Sequence, residues 1–398
     1  MDRKIRICFV VQRYGLEVNG GAELHCRQLA EHMKSDDREI HVATTKAVDY
    51  STWKNTYKKN EEVINGITVH RFPVKHQRDQ ARFDLINSRF LFYKEAFDYE
   101  AEREWINLQG PECPKLVKYL KDNKDYYDVF IFFTYLYYTT VIGLPEVADK
   151  AILIPTAHDE PFLKMKHYAE LFHKPRFFFY NTEEERQMVN KKFHNENIPS
   201  DLGGTGVEIP DDINPERFKA KYNLNDFIVY VGRIDQGKNC GEMFRYFRAY
   251  KKRHPSDLKL VLMGKPAMDI PKDDDILSLG FVSDEDKFDG IAAARMLLLP
   301  SIFESLSMVV LEAMCVHTNV VVNGKCPVLK GHCVKSNGAL YYMNYPEFEG
   351  VVDFFLNEKE TAEQMKLNAY DYVQQNYQWD VITGRLGKFV DKMVEDKA

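Results

Sequence analysis

Short apolar runs alternate with longer amphipathic stretches along most of the chain. Residues 5–11 read as a first strand, followed by a turn at Asn19-Gly20-Gly21. A helix is predicted over 22–34, where Leu24, Leu29 and Met33 fall near one face. Further strands are predicted at 40–44 and 67–72, and 83–106 reads as one long aromatic helical region. Residues 129–133, 151–154 and 177–180 are short apolar strands with helices between them. Strands alternating with helices, and apolar on both faces, predict a mostly parallel sheet covered on both sides.

The pattern breaks at 197–217, where three glycines and three prolines fall within 21 residues and predict a linker. A second strand–helix series follows, with strands at 227–231, 259–263, 276–279, 296–299 and 319–322 and final helices at 358–376 and 381–395. The fold class expected is α/β, with two doubly wound domains over 1–205 and 206–378 and a cleft between them. In such sheets ligands sit at the carboxyl ends of the strands.

The length of 398 residues agrees with two cores rather than one. Lys and Arg number 54 against 60 Asp and Glu, a net charge of −6, which argues against bulk nucleic-acid binding. Seven scattered cysteines, an odd number, suit reduced cytoplasmic thiols better than a disulfide framework. The N-terminal apolar stretch runs into Gln12 and Arg13 and is too short for a signal segment, and no run approaches a membrane span. The expected location is therefore cytoplasmic. Aromatic residues make up 13% of the chain and are assigned mainly to the core.

The residues richest in chemistry are Glu304 and Glu312. The first closes a turn after the strand 296–299, and the second is expected about two turns into a helix. A turn feeding a helix N-terminus offers unpaired N–H groups and a positive dipole end to a phosphate. Two carboxylates nearby can accept hydrogen bonds from sugar and ribose hydroxyls, so the pattern suggests a sugar-nucleotide pocket; a buried strand–helix unit with two ordinary glutamates is the other reading. Arg233 and Lys238 flank a turn after the first strand of the second series, where a guanidinium fork and an ammonium would hold a diphosphate. His158 lies just past a strand end, where it could hydrogen-bond a sugar hydroxyl rather than act as a base; a structural or simply exposed histidine is the other reading. Gly20 and Gly21 open the first helix, but the full dinucleotide fingerprint is absent, and a plain tight turn is the alternative.

Three further features carry less. Cys326, His332 and Cys333 raise a zinc site, but with no clear fourth ligand a reduced loop is preferred and no metal is assigned. Asp273-Asp274-Asp275 reads as a solvated turn rather than a Mg²⁺ site. Arg71, Lys75, Arg78, Arg82 and Arg89, interleaved with Phe72, Phe83 and Phe90, form a basic stretch that is either a peripheral membrane contact or a solvated face.

On Gly20-Gly21-Ala22-Glu23, His158, Gly206-Val207-Glu208, Arg233 with Lys238, and above all Glu304 and Glu312 as a Glu-x7-Glu motif, the chain resembles the GT-B glycosyltransferases of family 4, which are retaining and use nucleotide sugars. The resemblance covers nearly the whole sequence. It implies that Glu304 contacts the donor sugar, that Ser305, Leu306, Ser307 and Met308 line the sugar and diphosphate, and that Glu312 binds the ribose. It makes Arg233 and Lys238 the diphosphate ligands, puts His158 near the reacting centre, and places Gly20, Gly21 and Gly206 at the donor. It also implies that a C-terminal segment at about 379–398 returns to the first domain. The implied activity is hexose transfer from a nucleotide sugar, UDP-linked in preference to GDP-linked, without cofactor or metal. The acceptor would be a carbohydrate or lipid-linked saccharide in surface polysaccharide, lipopolysaccharide or glycolipid synthesis, at the inner face of the membrane. The rival readings are a phosphorylase, a sugar-nucleotide epimerase, or a non-catalytic sugar-nucleotide binder. One departure stands out: where the family often has Glu-Gly-Phe-Gly, this chain has Glu304-Ser305-Leu306-Ser307.

Overall fold

The computed structural model describes residues 3–18, 20–91 and 97–396. It divides into two compact units, Met1–Thr205 with Trp379–Ala398, and Gly206–Gln378.

The first unit is built on eight strands: β1 (Ile5–Val10), β2 (Arg38–Thr45), β3 (Glu61–Ile64), β4 (Ile67–Phe72), β5 (Val129–Phe133), β6 (Ala151–Ile154), β7 (Phe177–Tyr180) and β8 (Ser200–Leu202). Their order is β3-β4-β2-β1-β5-β6-β7-β8, and only the β3–β4 pair is antiparallel. Side chains alternate between the two faces. Ile7 and Phe9 join one core cluster, while Cys8 and Val10 join the other. The final helix, Trp379–Glu395, buries Ile382, Leu386, Val390 and Met393 in the same cluster as Leu29 and Met33 of the first helix, Gly21–Met33.

The second unit carries β9 (Phe227–Val231), β10 (Lys259–Met263), β11 (Ile276–Gly280), β12 (Met296–Leu299), β13 (Asn319–Asn323) and β14 (Leu340–Tyr342). The order is β11-β10-β9-β12-β13-β14, parallel throughout. This doubly wound order reverses direction between β9 and β12, so the loops leaving those two strands diverge and open a crevice at their carboxyl ends. Both units are thus Rossmann-like, the architecture of GT-B proteins.

Several details differ from the sequence reading. The single helix expected over 83–106 is two, Gln80–Leu91 and Tyr99–Gln109, and Asp98 caps the second by accepting from the Ala101 N–H. Residues 92–96 of that stretch lie outside the described residues, as do Asn19 of the expected turn and 397–398 of the expected C-terminal segment. The expected linker contains a strand, β8, and the start of a helix, Pro215–Tyr222, capped by Asn214. The edge strands β3 and β14 went unread because they are short. Among the described residues no helix is long and apolar enough to cross a membrane.

The basic stretch does not form one face. Arg71 follows Ile67 and Val69 on the inward side of β4 and is only 1% exposed. Its charge is met by Glu62 at 2.6 Å, the Tyr14 carbonyl at 2.7 Å, and the Tyr57 ring at 3.5 Å. Arg82 is exposed and pairs with Glu104, and Lys75 pairs with Glu112. A buried cation whose removal strands a carboxylate is costly, whereas an exposed pair contributes little. Arg71→Ala is therefore expected to lower unfolding stability by about 3 kcal/mol, and Arg82→Ala by no more than about 0.5 kcal/mol. Urea denaturation of the two variants checks this contrast.

Candidate functional site

The crevice of the second unit gathers three loops. At the end of β9, Gly232 adopts φ 149°, and at the end of β10, Gly264 adopts φ 154°. A Cβ on Gly264 would lie 1.9 Å from the Gly232 carbonyl oxygen, so the two strand ends meet this closely only because residue 264 is glycine. The loop beyond Gly232 carries Arg233, Asp235 and Lys238. Asp235 accepts from the Arg233 guanidinium and, at 2.8 Å, from the backbone N–H of Lys238, which fixes the turn.

Lys238 then reaches across the switch point. Its Nζ lies 2.6 Å from Oε1 of Glu304, on the loop after β12. The pair is partly shielded, with side chains 32% and 13% exposed. The loop is tied down from behind: Asn239 and Asn323 both donate to the Pro300 carbonyl, at 3.1 and 3.2 Å, and both donate to Glu242. Asn239, Glu242 and Asn323 thus bind the ends of β9, β12 and β13 together. Their spacing in sequence gave no sign of this.

After Glu304 the chain passes Ser305 and buried Leu306 to Ser307, which takes φ 71° and ψ 80° and caps the helix Met308–Cys315. That helix has no acidic residue in its first turn, so its leading N–H groups meet no side-chain anion of that turn. Glu312 is its fifth residue. It stands little more than one turn in, rather than two, because the left-handed Ser307 delays the helix start. Its carboxylate pairs with Lys287 at 3.0 Å, from the helix Asp284–Ala293. Lys287 is a partner of this candidate residue that the sequence reading missed.

In the first unit, Gly20 is the N-cap of the first helix with extended backbone, and its lack of a side chain matters for another reason. A Cβ there would lie 2.2 Å from Oε2 of Glu23, whereas a Cβ on Gly21 would meet nothing within 4 Å. Glu23 is buried and accepts from Gln12 Nε2 and Arg13 Nε, both at 2.9 Å. Arg13 also donates to the Val48 carbonyl at 2.8 Å. This Gln12–Arg13–Glu23 group at the end of β1 is a second feature the sequence reading left unassigned.

His158 lies past the end of β6, about a third exposed, with Nδ1 3.8 Å from Glu160. Glu160 accepts from the Tyr135 hydroxyl. The adjoining Ala157 N–H donates to Glu185 at 2.5 Å, and the Asn181 N–H donates to the other oxygen of the same carboxyl at 2.7 Å. Glu185 is buried. Burial pushes its carboxyl up to about 8, against the backbone N–H groups, which favour the charged form.

The structure therefore joins Lys238 directly to Glu304 and links Arg233 to Lys238 through Asp235. Glu312 stands in a separate pair with Lys287, and Ser305, Leu306, Ser307 and Met308 run between the two glutamates. Gly206 is buried in the coil that opens the second unit, while Gly20, Gly21 and His158 belong to the first. Cys326 caps the helix Pro327–Ser336, within which His332 and Cys333 are buried, and no described group of three or more His, Cys, Asp or Glu is gathered as for a metal ion. The 273–275 turn is cross-braced rather than merely solvated: Asp273 pairs with Arg248, and Asp275 with Lys251 and Lys259.

Residues 212–372, nearly all of the second unit, match the family model of glycosyl transferases group 1. An uncharacterised glycosyltransferase of Methanocaldococcus jannaschii is 23% identical over 95% of this chain and 96% of its own. Among solved structures, sucrose-phosphate synthase from Thermosynechococcus elongatus superposes with a TM-score of 0.72 at 14% identity, covering 99% of this chain and 100% of its own. Anabaena HepE in complex with UDP-glucose gives 0.69 at 14% identity over 98% and 100%. The architecture is that of the GT-B glycosyltransferases, and together the matches support a glycosyltransferase.

Two expectations follow from this geometry. A carboxyl raised from an ordinary 4.5 to about 8 holds a proton in the folded state that the unfolded chain has already released over that window. The stability it contributes is complete below the unfolded value and is lost as pH rises through about 8. Relative to Glu185→Gln, the native protein should thus lose stability progressively between about pH 5 and 8. The slope of the difference in urea midpoint against pH checks this, independently of any constant offset. Ser307 in left-handed backbone is strained, so Ser307→Gly should raise unfolding stability by about 0.5–1 kcal/mol, as read by the same denaturation.

Proposed function

We propose that the protein is a retaining hexosyltransferase of the family-4 type, moving a hexose from a nucleoside diphosphate sugar to a hydroxyl acceptor. The observation that carries this reading is the Lys238–Glu304 pair at the switch point, held between the Arg233 loop and a helix N-terminus. A diphosphate suits that end of the helix, with Arg233 and Lys238 supplying positive charge as the leaving group departs. These cations do the work that a metal ion would otherwise do, so the reading assigns no metal and no cofactor. Glu304 accepts hydrogen bonds from the sugar and Glu312 from the ribose, with Ser305, Leu306, Ser307 and Met308 along the sugar and diphosphate. The reading assigns Gly20, Gly21 and Gly206 to the donor and His158 to the reacting centre.

The bond from the anomeric carbon to the diphosphate breaks, and a bond to the acceptor oxygen forms on the same face. The acceptor proton passes to the departing diphosphate. Glu304 binds and orients and forms no covalent intermediate. UDP is the preferred base carrier, in keeping with the HepE complex with UDP-glucose. The acceptor is assigned to a carbohydrate or lipid-linked saccharide of surface polysaccharide, lipopolysaccharide or glycolipid synthesis, at the cytoplasmic face of the membrane.

Lys238 cannot serve Glu304 and a phosphate with full strength at once. Glu304→Gln is therefore expected to bind UDP at least as tightly as the native protein, while transfer falls by about a hundredfold. In a thermal-shift panel of UDP, GDP, UDP-glucose and GDP-mannose, a ligand at a hundredfold excess over Kd stabilises by about 2.7 kcal/mol. One nucleotide should shift the native protein, and that shift should vanish in Arg233→Ala/Lys238→Ala. Full turnover by Glu304→Gln, or no shift with any nucleotide, would remove the assignment.

A further inference from the structure

The helix Pro327–Ser336 lies behind the loop that carries Glu304. Its residue His332 is 1% exposed, and Nε2 lies 2.7 Å from the carbonyl oxygen of buried Leu306. A carbonyl can only accept, so Nε2 carries a proton, and in the neutral ring Nδ1 is the acceptor. Nδ1 then accepts a hydrogen bond from the Tyr372 hydroxyl, 3.0 Å away. The Tyr372 hydroxyl, donating to the imidazole, accepts in turn from Tyr377 at 3.2 Å. One of the three residues that raised a zinc site, His332, therefore acts on the backbone of the Glu304–Ser307 loop instead.

This matters because of what the next residue does. Ser307 holds a left-handed conformation where the helix begins, and a serine resists that conformation where glycine would not. The peptide joining Leu306 to Ser307 can rotate to relieve the strain unless its carbonyl is held. We propose that His332, oriented by Tyr372 and Tyr377, is a positioning residue that locks the Leu306 carbonyl inward and so presents the Ser307–Met308 backbone to the sugar and diphosphate of the donor. The assignment of that backbone to a donor rests on the glycosyltransferase reading, whereas the hold on the loop does not.

The test separates the two. Amide hydrogen exchange of the ligand-free protein follows the loop peptide 303–309 in the native chain, His332→Leu and His332→Gln. Loss of one buried hydrogen bond should speed loop exchange about tenfold in His332→Leu, with β12 and β13 unchanged. His332→Gln, whose amide can still donate to the carbonyl, should restore protection. Tyr372→Phe, which leaves the imidazole in place but unoriented, should give a smaller effect in the same direction, and it carries the test if His332→Leu does not fold.

Calorimetry with UDP against UDP-glucose, and GDP against GDP-mannose, supplies the second readout. His332→Leu should weaken the sugar nucleotide and the matching diphosphate together, each about tenfold. Unchanged loop protection, or unchanged affinity for both ligands, would overturn the proposal. If the native protein binds none of the four, the donor reading fails, and the exchange data still decide whether His332 holds the loop.

Discussion

A parallel sheet covered on both faces leaves its strands no wet side, and much else in this molecule follows from that constraint. Every residue of β5, β6, β7 and β12 is buried, so polar chemistry has no place along these strands. It is displaced to the loops at their ends. In the second unit the strand order then decides which loops matter. The reversal between β9 and β12 parts two neighbouring loops, and those two carry Arg233, Lys238 and Glu304. The site is thus a by-product of how the sheet buries its apolar surface, and the side chains at the strand ends turn a crevice into something that can bind charge.

The charges there are arranged in pairs rather than as a field of one sign. Glu304 is matched by Lys238, Glu312 by Lys287 and, in the first unit, Glu23 by Arg13. Each of these carboxylates is 13% exposed or less, which would be costly without a counter-ion. For Lys238 the pairing has a second effect. On the proposed reading, a phosphate arriving at the crevice would take charge from a lysine already ordered by Glu304, so little side-chain freedom would be lost on binding. The freed share of Glu304 would turn to hydroxyl groups. Exchange of partners between anion, lysine and carboxylate is cheaper than recruiting a loose lysine from solvent.

Sequence patterns exposed the strands well and the partners poorly, and the reason is physical. An unbroken run such as Val129–Phe133 has few other places to go, and the eight-residue spacing of Glu304 and Glu312 is a local feature of one loop and helix. Lys238 and Glu304 are 66 positions apart and Lys287 and Glu312 are 25 apart, so only the sheet order brings them together. The break within 83–106 involves neither proline nor glycine, and its one legible mark was Asp98 as a cap. Arg71 was legible in principle, since it continues the inward alternation of Ile67 and Val69; its position among other cations drew the reading outward. Short edge strands such as β3, with two of its four residues exposed, carry too little periodicity to register.

The loop between the two glutamates shows how such a site tolerates a changed sequence. A left-handed residue is needed where the helix begins, and glycine would adopt it at no steric cost. Here a serine stands at that point, and support comes from outside the loop. Leu306 is buried in the core cluster, its carbonyl is held by His332, and the Pro300 carbonyl upstream is held by Asn239 and Asn323. Conformation that glycine would permit locally is thus imposed by packing and hydrogen bonds drawn from three other elements. A backbone fixed in this way keeps its amide directions even though the side chains of Ser305 and Ser307 add hydroxyls beside them. On the proposed reading, the fixed backbone and the selectivity for a particular sugar are separable: the first rests on buried carbonyls, the second on what the two serines present.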